Sequence, residues 1–130
     1  MKALSVVFQI LSDDAGVTAA RSGPISINAI PDAQSVPNVQ LMLVSGLEEF
    51  THGGPSGLVE DRVRVWCRAK TPKEAAALGQ AVHDALQGYV GTVDGAAVQL
   101  IRRVMTTSDY QDAAKVHRHI ADFDVHWGAA

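Results

Sequence analysis

The residues best suited to chemistry lie along one short stretch, Val59 to Ala69. Side chains alternate with period two in a strand. Val59, Val63, Val65, Cys67 and Ala69 therefore share one face, interrupted by Asp61, and Glu60, Arg62, Arg64, Trp66 and Arg68 share the other. An arginine fork binds carboxylates or phosphates through paired N–H groups. Arginine and tryptophan are also favoured anchors of protein interfaces. Three readings of Arg62, Arg64, Trp66 and Arg68 follow: a subunit interface, the wall of a channel carrying DNA, or a solvated face with ion pairs inside the sheet. Asp122 and Asp124 share one face of a later strand, about 7 Å apart. They could serve as an acid–base pair if further groups converged on them in a cleft, or as a charged face opposite the arginines.

Other constellations are weaker. His117 and His119 share a strand face and His126 takes the other, but two imidazoles do not make a zinc site. Cys67 alternates with Val63 and Val65, which makes it a buried structural thiol rather than a nucleophile. Being the single cysteine, it forms no intrachain disulfide and suits a reducing compartment. The run His52-Gly53-Gly54-Pro55-Ser56-Gly57 lacks the Gly-Lys-Ser/Thr ending of a phosphate-binding loop. No catalytic residue, cofactor site or metal site is expected.

The elements that must position these residues can be read from periodicity. Leu4, Val7, Phe8 and Leu11 form the apolar stripe of a first helix over Ala3–Leu11, read as a packed helix rather than a leader segment. Val17–Ala20 suggests a short second helix ended by Gly23-Pro24. Ile25 and Ile27 alternate in a short strand, Pro31–Pro37 reads as a loop, and Val39–Ser45 as a strand. Glu48–Gly57 reads as a long glycine-rich loop. Thr71-Pro72-Lys73-Glu74 is a capping box with proline at the first helical position. It opens a helix with Ala75, Leu78, Val82, Ala85, Leu86 and Tyr89 on one face and Gly88 as its stop. Asp94-Gly95 is a tight-turn dipeptide joining two hairpin arms. Thr106–Lys115 reads as a polar connection, and Val116–Trp127 as the last strand. Helices and strands are segregated, which points to an α+β fold: an antiparallel-rich sheet with two helices packed on one face.

The bulk properties narrow the function. The chain has 130 residues, a length suited to one domain spanning 1–130. Its net charge of −3 argues against a dedicated nucleic-acid binder, and no run is apolar enough to span a membrane.

The order Thr51-His52-Gly53-Gly54-Pro55-Ser56-Gly57-Leu58, Arg62-Val63-Arg64-Val65-Trp66-Cys67, Thr71-Pro72-Lys73-Glu74-Ala75 and Ala85-Leu86-Gln87-Gly88-Tyr89 resembles a family of phage tail-completion or tail terminator proteins. Such proteins also occur in prophages and gene transfer agents. The first helix, the Gly91–Gly95 hairpin and the closing strand to Trp127 extend the resemblance over most of the chain. Arg21-Ser22-Gly23-Pro24-Ile25 and the Pro31–Pro37 linker depart from the family pattern. The resemblance implies a virion protein assembled in the host cytoplasm. It implies a homo-hexameric ring at the head-proximal end of the tail that stops the tail tube growing and meets the head–tail connector. It carries no catalytic residues. The expected partners are a second copy, the major tail tube protein and the neck proteins, with DNA passing through the ring and no membrane. The expected contact residues are Arg62, Arg64, Trp66, Arg68, His52, Gly53, Gly54, Pro55, Asp122 and Asp124. Rival readings are a head-closure or minor tail protein, a small hydrolase using Asp122, Asp124 and a histidine, and a ligand-binding module.

Overall fold

A computed structural model describes residues 2–28, 36–51 and 54–129, with side-chain surroundings described outside residues 46–58. The elements run α1 (Lys2–Asp13), α2 (Ala15–Ala20), β1 (Ile25–Ile27), β2 (Asn38–Thr51), β3 (Gly54–Ala69), α3 (Pro72–Leu86), β4 (Gly91–Val93), β5 (Ala96–Gln111) and β6 (Val116–Ala129). The strands form one sheet in the order β1-β2-β3-β6-β5-β4. Every neighbouring pair is antiparallel except β1 with β2. The fold is α+β, as the segregation of helical and strand periodicities implies.

The helices cover one face. From α1, Leu4, Val7 and Leu11 are wholly buried, as are Leu78 and Leu86 of α3. They meet Val39 and Leu41 of β2, Val63 and Val65 of β3, Phe123 and Val125 of β6, and Ile101 of β5 in one core. Each large apolar side chain removed from water in this way contributes about 1.5–3 kcal/mol. The α3 capping box forms as its sequence implies. The Thr71 hydroxyl accepts from the Glu74 N–H at 3.1 Å, and the helix ends at Gln87 with Gly88 at φ 76°. The α2 start is capped by Asp14, whose carboxylate accepts from the Val17 N–H at 2.9 Å. Asp94 and Gly95 both take positive φ between β4 and β5, the backbone of a two-residue hairpin turn.

Two expectations need correction. The glycine-rich stretch is not a long loop over Glu48–Gly57: β2 runs on to Thr51, β3 starts at Gly54, and Phe50 faces Pro55 while Thr51 faces Gly54. Two register shifts, at Leu43/Ser45 and Glu48/Phe50, let the ladder continue through residues of poor strand propensity. Nor is Thr106–Lys115 a connection. β5 continues to Gln111 and only Asp112–Lys115 turns. Val104, Thr106, Thr107 and Tyr110 are good strand formers, and β6 supplies the ladder partners.

Candidate functional site on the open sheet face

Period two along β3 turns Arg62, Arg64, Trp66 and Arg68 away from the helices. The register places Arg62 opposite Asp124 and Arg64 opposite Asp122. The expected arginine row and the expected acidic pair are therefore neighbours on one face of one sheet. Asp122 is only 1% exposed. Its carboxylate accepts from Arg62 Nε at 3.0 Å and from Arg64 Nε and Nη2 at 2.7 and 3.0 Å. This fork is the strong, directional form of an ion pair, and it holds the Arg64 guanidinium proton more tightly than usual. The Arg64 guanidinium also lies 5.8 Å from the Trp66 ring centre, within cation–π range.

The lattice continues sideways. Arg102 of β5 approaches Asp124 at 3.9 Å, and His126 approaches Glu60 at 3.9 Å. Arg118 of β6 makes a two-pronged ion pair with Asp109 of β5. Arg68 is 2% exposed and donates to the Gln111 side-chain oxygen at 3.3 Å. Burial, then repulsion from Arg118, lowers its proton affinity. Arg62 and Arg64 are thus balanced by a carboxylate of their own chain, and Arg68 is held by the Gln111 amide oxygen. Arg102, Arg118 and Asp109 belong to this face and escape the sequence reading, because their partners are set by the β5–β6 register and not by local periodicity. His52 and Gly53 lie outside the described residues. Gly54 and Pro55 begin β3 at the hairpin tip.

The other candidate chemistries do not assemble. Asp122 sits in a two-arginine clamp, not beside a second carboxylate in a cleft. Among the described residues, Glu60, Asp124 and His126 are the one group whose ligand atoms lie within 4.8 Å of one another. Arg62 lines the same 190 Å³ cavity and Arg102 pairs with Asp124, and these charges oppose a cation there. On the helix side His119 stands opposite Cys67 in the register, a juxtaposition the sequence did not reveal. It does not activate the thiol: Cys67 is 1% exposed, and burial pushes it up to about 12. His119 lies against Gly79 of α3, and burial lowers its proton affinity, with Arg103 adding repulsion. A 360 Å³ cavity near the start of α3 is lined by Pro72, Ala75, Asp109, His117 and His119 among others, at the lower limit for a small-molecule site. Asp61, the break in the apolar row of β3, accepts from the Trp127 indole N–H at 2.9 Å and is thereby satisfied.

A family model described as tail completion protein gp17 matches residues 5–127. The chain belongs to that family. Family membership makes it a structural protein of a phage-type tail rather than a member of an enzyme family. Among solved structures, a chain of the virion of a native gene transfer agent particle is similar with a TM-score of 0.71. The two share 17% identity, with 97% of this chain and 94% of that chain covered; at that identity the likeness shows a common fold. No curated protein matches the sequence.

Proposed function

We propose that this tail completion protein caps the head-proximal end of the tail tube as a six-membered ring, stops the tube growing and joins it to the head connector. The observation that carries this reading is the family match over residues 5–127. The fold supports it. Helices cover one face of the sheet, and the open face is a lattice of paired charges. A wall of arginines already held by Asp122, Asp124 and Asp109 offers phosphates few free partners, which suits a lumen through which DNA must slide. Arg62, Arg64, Trp66, Arg68, Asp122 and Asp124 then line the channel. The β2–β3 hairpin outruns β6, whose last partner is Gly128 opposite Leu58. Its outer end, where Phe50 faces Pro55 and Thr51 faces Gly54, is the segment suited to reach the tube or the connector.

Cryo-electron microscopy of particles carrying a tag on this chain tests the placement. Six copies at the junction of head and tail are expected. Label at the tail tip, along the tube or inside the head would remove this role.

A further inference from the structure

The two margins of the sheet are only partly covered. Among the described residues, β1 meets β2 at Val39–Leu41 alone, and β4 meets β5 at Ala96–Val98 alone. Just beyond β4, the Gly88 N–H donates to the Ile101 carbonyl at 2.8 Å, and the Arg103 N–H donates to the Gln87 side-chain oxygen at 2.8 Å. Past Arg103 no described strand lies outside β5. Val104 and Tyr110 are 36% and 47% exposed, and Thr106–Asp109 are exposed as well.

The ladder says which backbone groups point outward. Ile101 and Arg103 face away from β6, as those two hydrogen bonds show. In an antiparallel ladder the facing alternates, and a bulge between Arg103 and Met105 reverses the parity. The N–H and C=O groups of Thr106, Ser108 and Tyr110 therefore point off the edge. Natural edges are usually guarded by lysine, proline or a covering loop. Val104–Gln111 contains neither lysine nor proline, and its one charge, Asp109, is tied to Arg118. The far margin, Met42–Thr51 of β2, also lacks both residues.

We propose that the Thr106–Tyr110 edge of β5 pairs antiparallel with the open β2 edge of a second copy, closing the ring by strand addition. This rests on the ring reading above. Three antiparallel steps separate β2 from β5, so the two margins run in opposite directions. A neighbour's β2 laid beside β5 continues the alternation without reversing the subunit. The contact is head-to-tail, so each addition covers one margin and presents the other, and closure leaves neither open. Pairing β5 with β5 across a two-fold axis would stop at a dimer and leave both β2 margins bare. One sheet face then looks to the ring axis, in keeping with the charge-balanced open face as the channel wall.

Cross-linking in assembled particles tests the pairing. Ser45 and Thr107 both project from the open face at opposite margins. The S45C/T107C chain, treated with a short bismaleimide able to tolerate a register step of two residues, about 7 Å, should give a covalent ladder up to the closed ring. Each single variant alone should give monomer, and their mixture should give dimer. The buried Cys67 supplies an unreactive background. In addition, Ser108→Pro removes one outward N–H. It should leave thermal unfolding nearly unchanged, because proline is tolerated on an open edge, yet raise the concentration needed for assembly by about tenfold or more. Particles that carry the chain at the tail end but yield no ladder overturn the pairing and leave the ring standing. Efficient cross-linking by T107C alone overturns it in favour of a two-fold contact. A chain absent from the tail end removes the ring reading, and the pairing with it.

Discussion

Asp122 is a buried carboxylate on a sheet face that no helix covers. Two guanidinium groups make up for its lost hydration, and each is about one-third exposed. Removing the shared negative charge leaves both arginines charged with one acceptor oxygen between them, although solvent can reach them. Asp122→Asn is therefore expected to cost roughly 1–3 kcal/mol, below the full penalty for breaking a wholly buried pair. Urea unfolding of the purified chain measures it, and a loss under about 0.5 kcal/mol would show the clamp to be ornamental. The same geometry makes Arg64→Glu a poor probe of any interface, because it sets a second carboxylate against Asp122 and acts on the fold first. His119 sets a pH dependence. Burial, with Arg103 beside it, holds the imidazole below its ordinary value of 6.5. As pH falls below about 6.5, the unfolded chain takes up a proton that the folded chain does not. Its contribution to stability is complete above that value and is lost on acidification toward the lower folded value. The urea midpoint should fall between about pH 7 and about pH 5, and His119→Gln should flatten that slope. An unchanged slope in the variant would assign the effect elsewhere.

At the scale of elements, α3 sits on the sheet through a close approach. A Cβ added at Gly79 would press against three ring atoms of His119, well inside van der Waals contact. Alanine in a helix interior is otherwise worth about 1 kcal/mol over glycine. The clash outweighs that gain, and Gly79→Ala should destabilise by about 1–3 kcal/mol. Combining it with His119→Ala should recover most of the loss, and a double-mutant cycle reads the coupling. Additive effects would show that α3 does not rest on the imidazole. Much of this architecture was legible in the sequence. The period of β3, the capping box at Thr71, the Asp94-Gly95 turn and the apolar face of β6 are local signals, and each formed where expected. The ends of the two long hairpins were not legible. Gly54-Pro55 reads as a breaker, and Thr106–Gln111 as a polar linker, until a partner strand supplies the ladder that local propensity lacks. The candidate site shared that fate. The alternation of Arg62, Arg64 and Trp66 is written in the sequence, whereas the register that locks them to Asp122 is a long-range property. Trp127 rescuing Asp61 is another such contact.

For the whole molecule, the observations describe a subunit with two unlike faces and two unlike margins. One face is covered by helices, and on the other Arg62, Arg64, Arg102 and Arg118 pair with carboxylates of the same chain. The margins carry open backbone in opposite senses. A chain with these surfaces is suited to being one piece of a closed array. Its family places the chain in a phage-type tail. The finer role, ending the tube and meeting the connector, makes a claim about length, because a cap sets where growth stops. The most direct measurement is the tail-length distribution, by electron microscopy, of particles made without this chain and again with it restored. Tails that run to irregular, excess length and lack heads, and that return to one length on complementation, are the predicted result. Tails of normal, uniform length still joined to heads would contradict the cap.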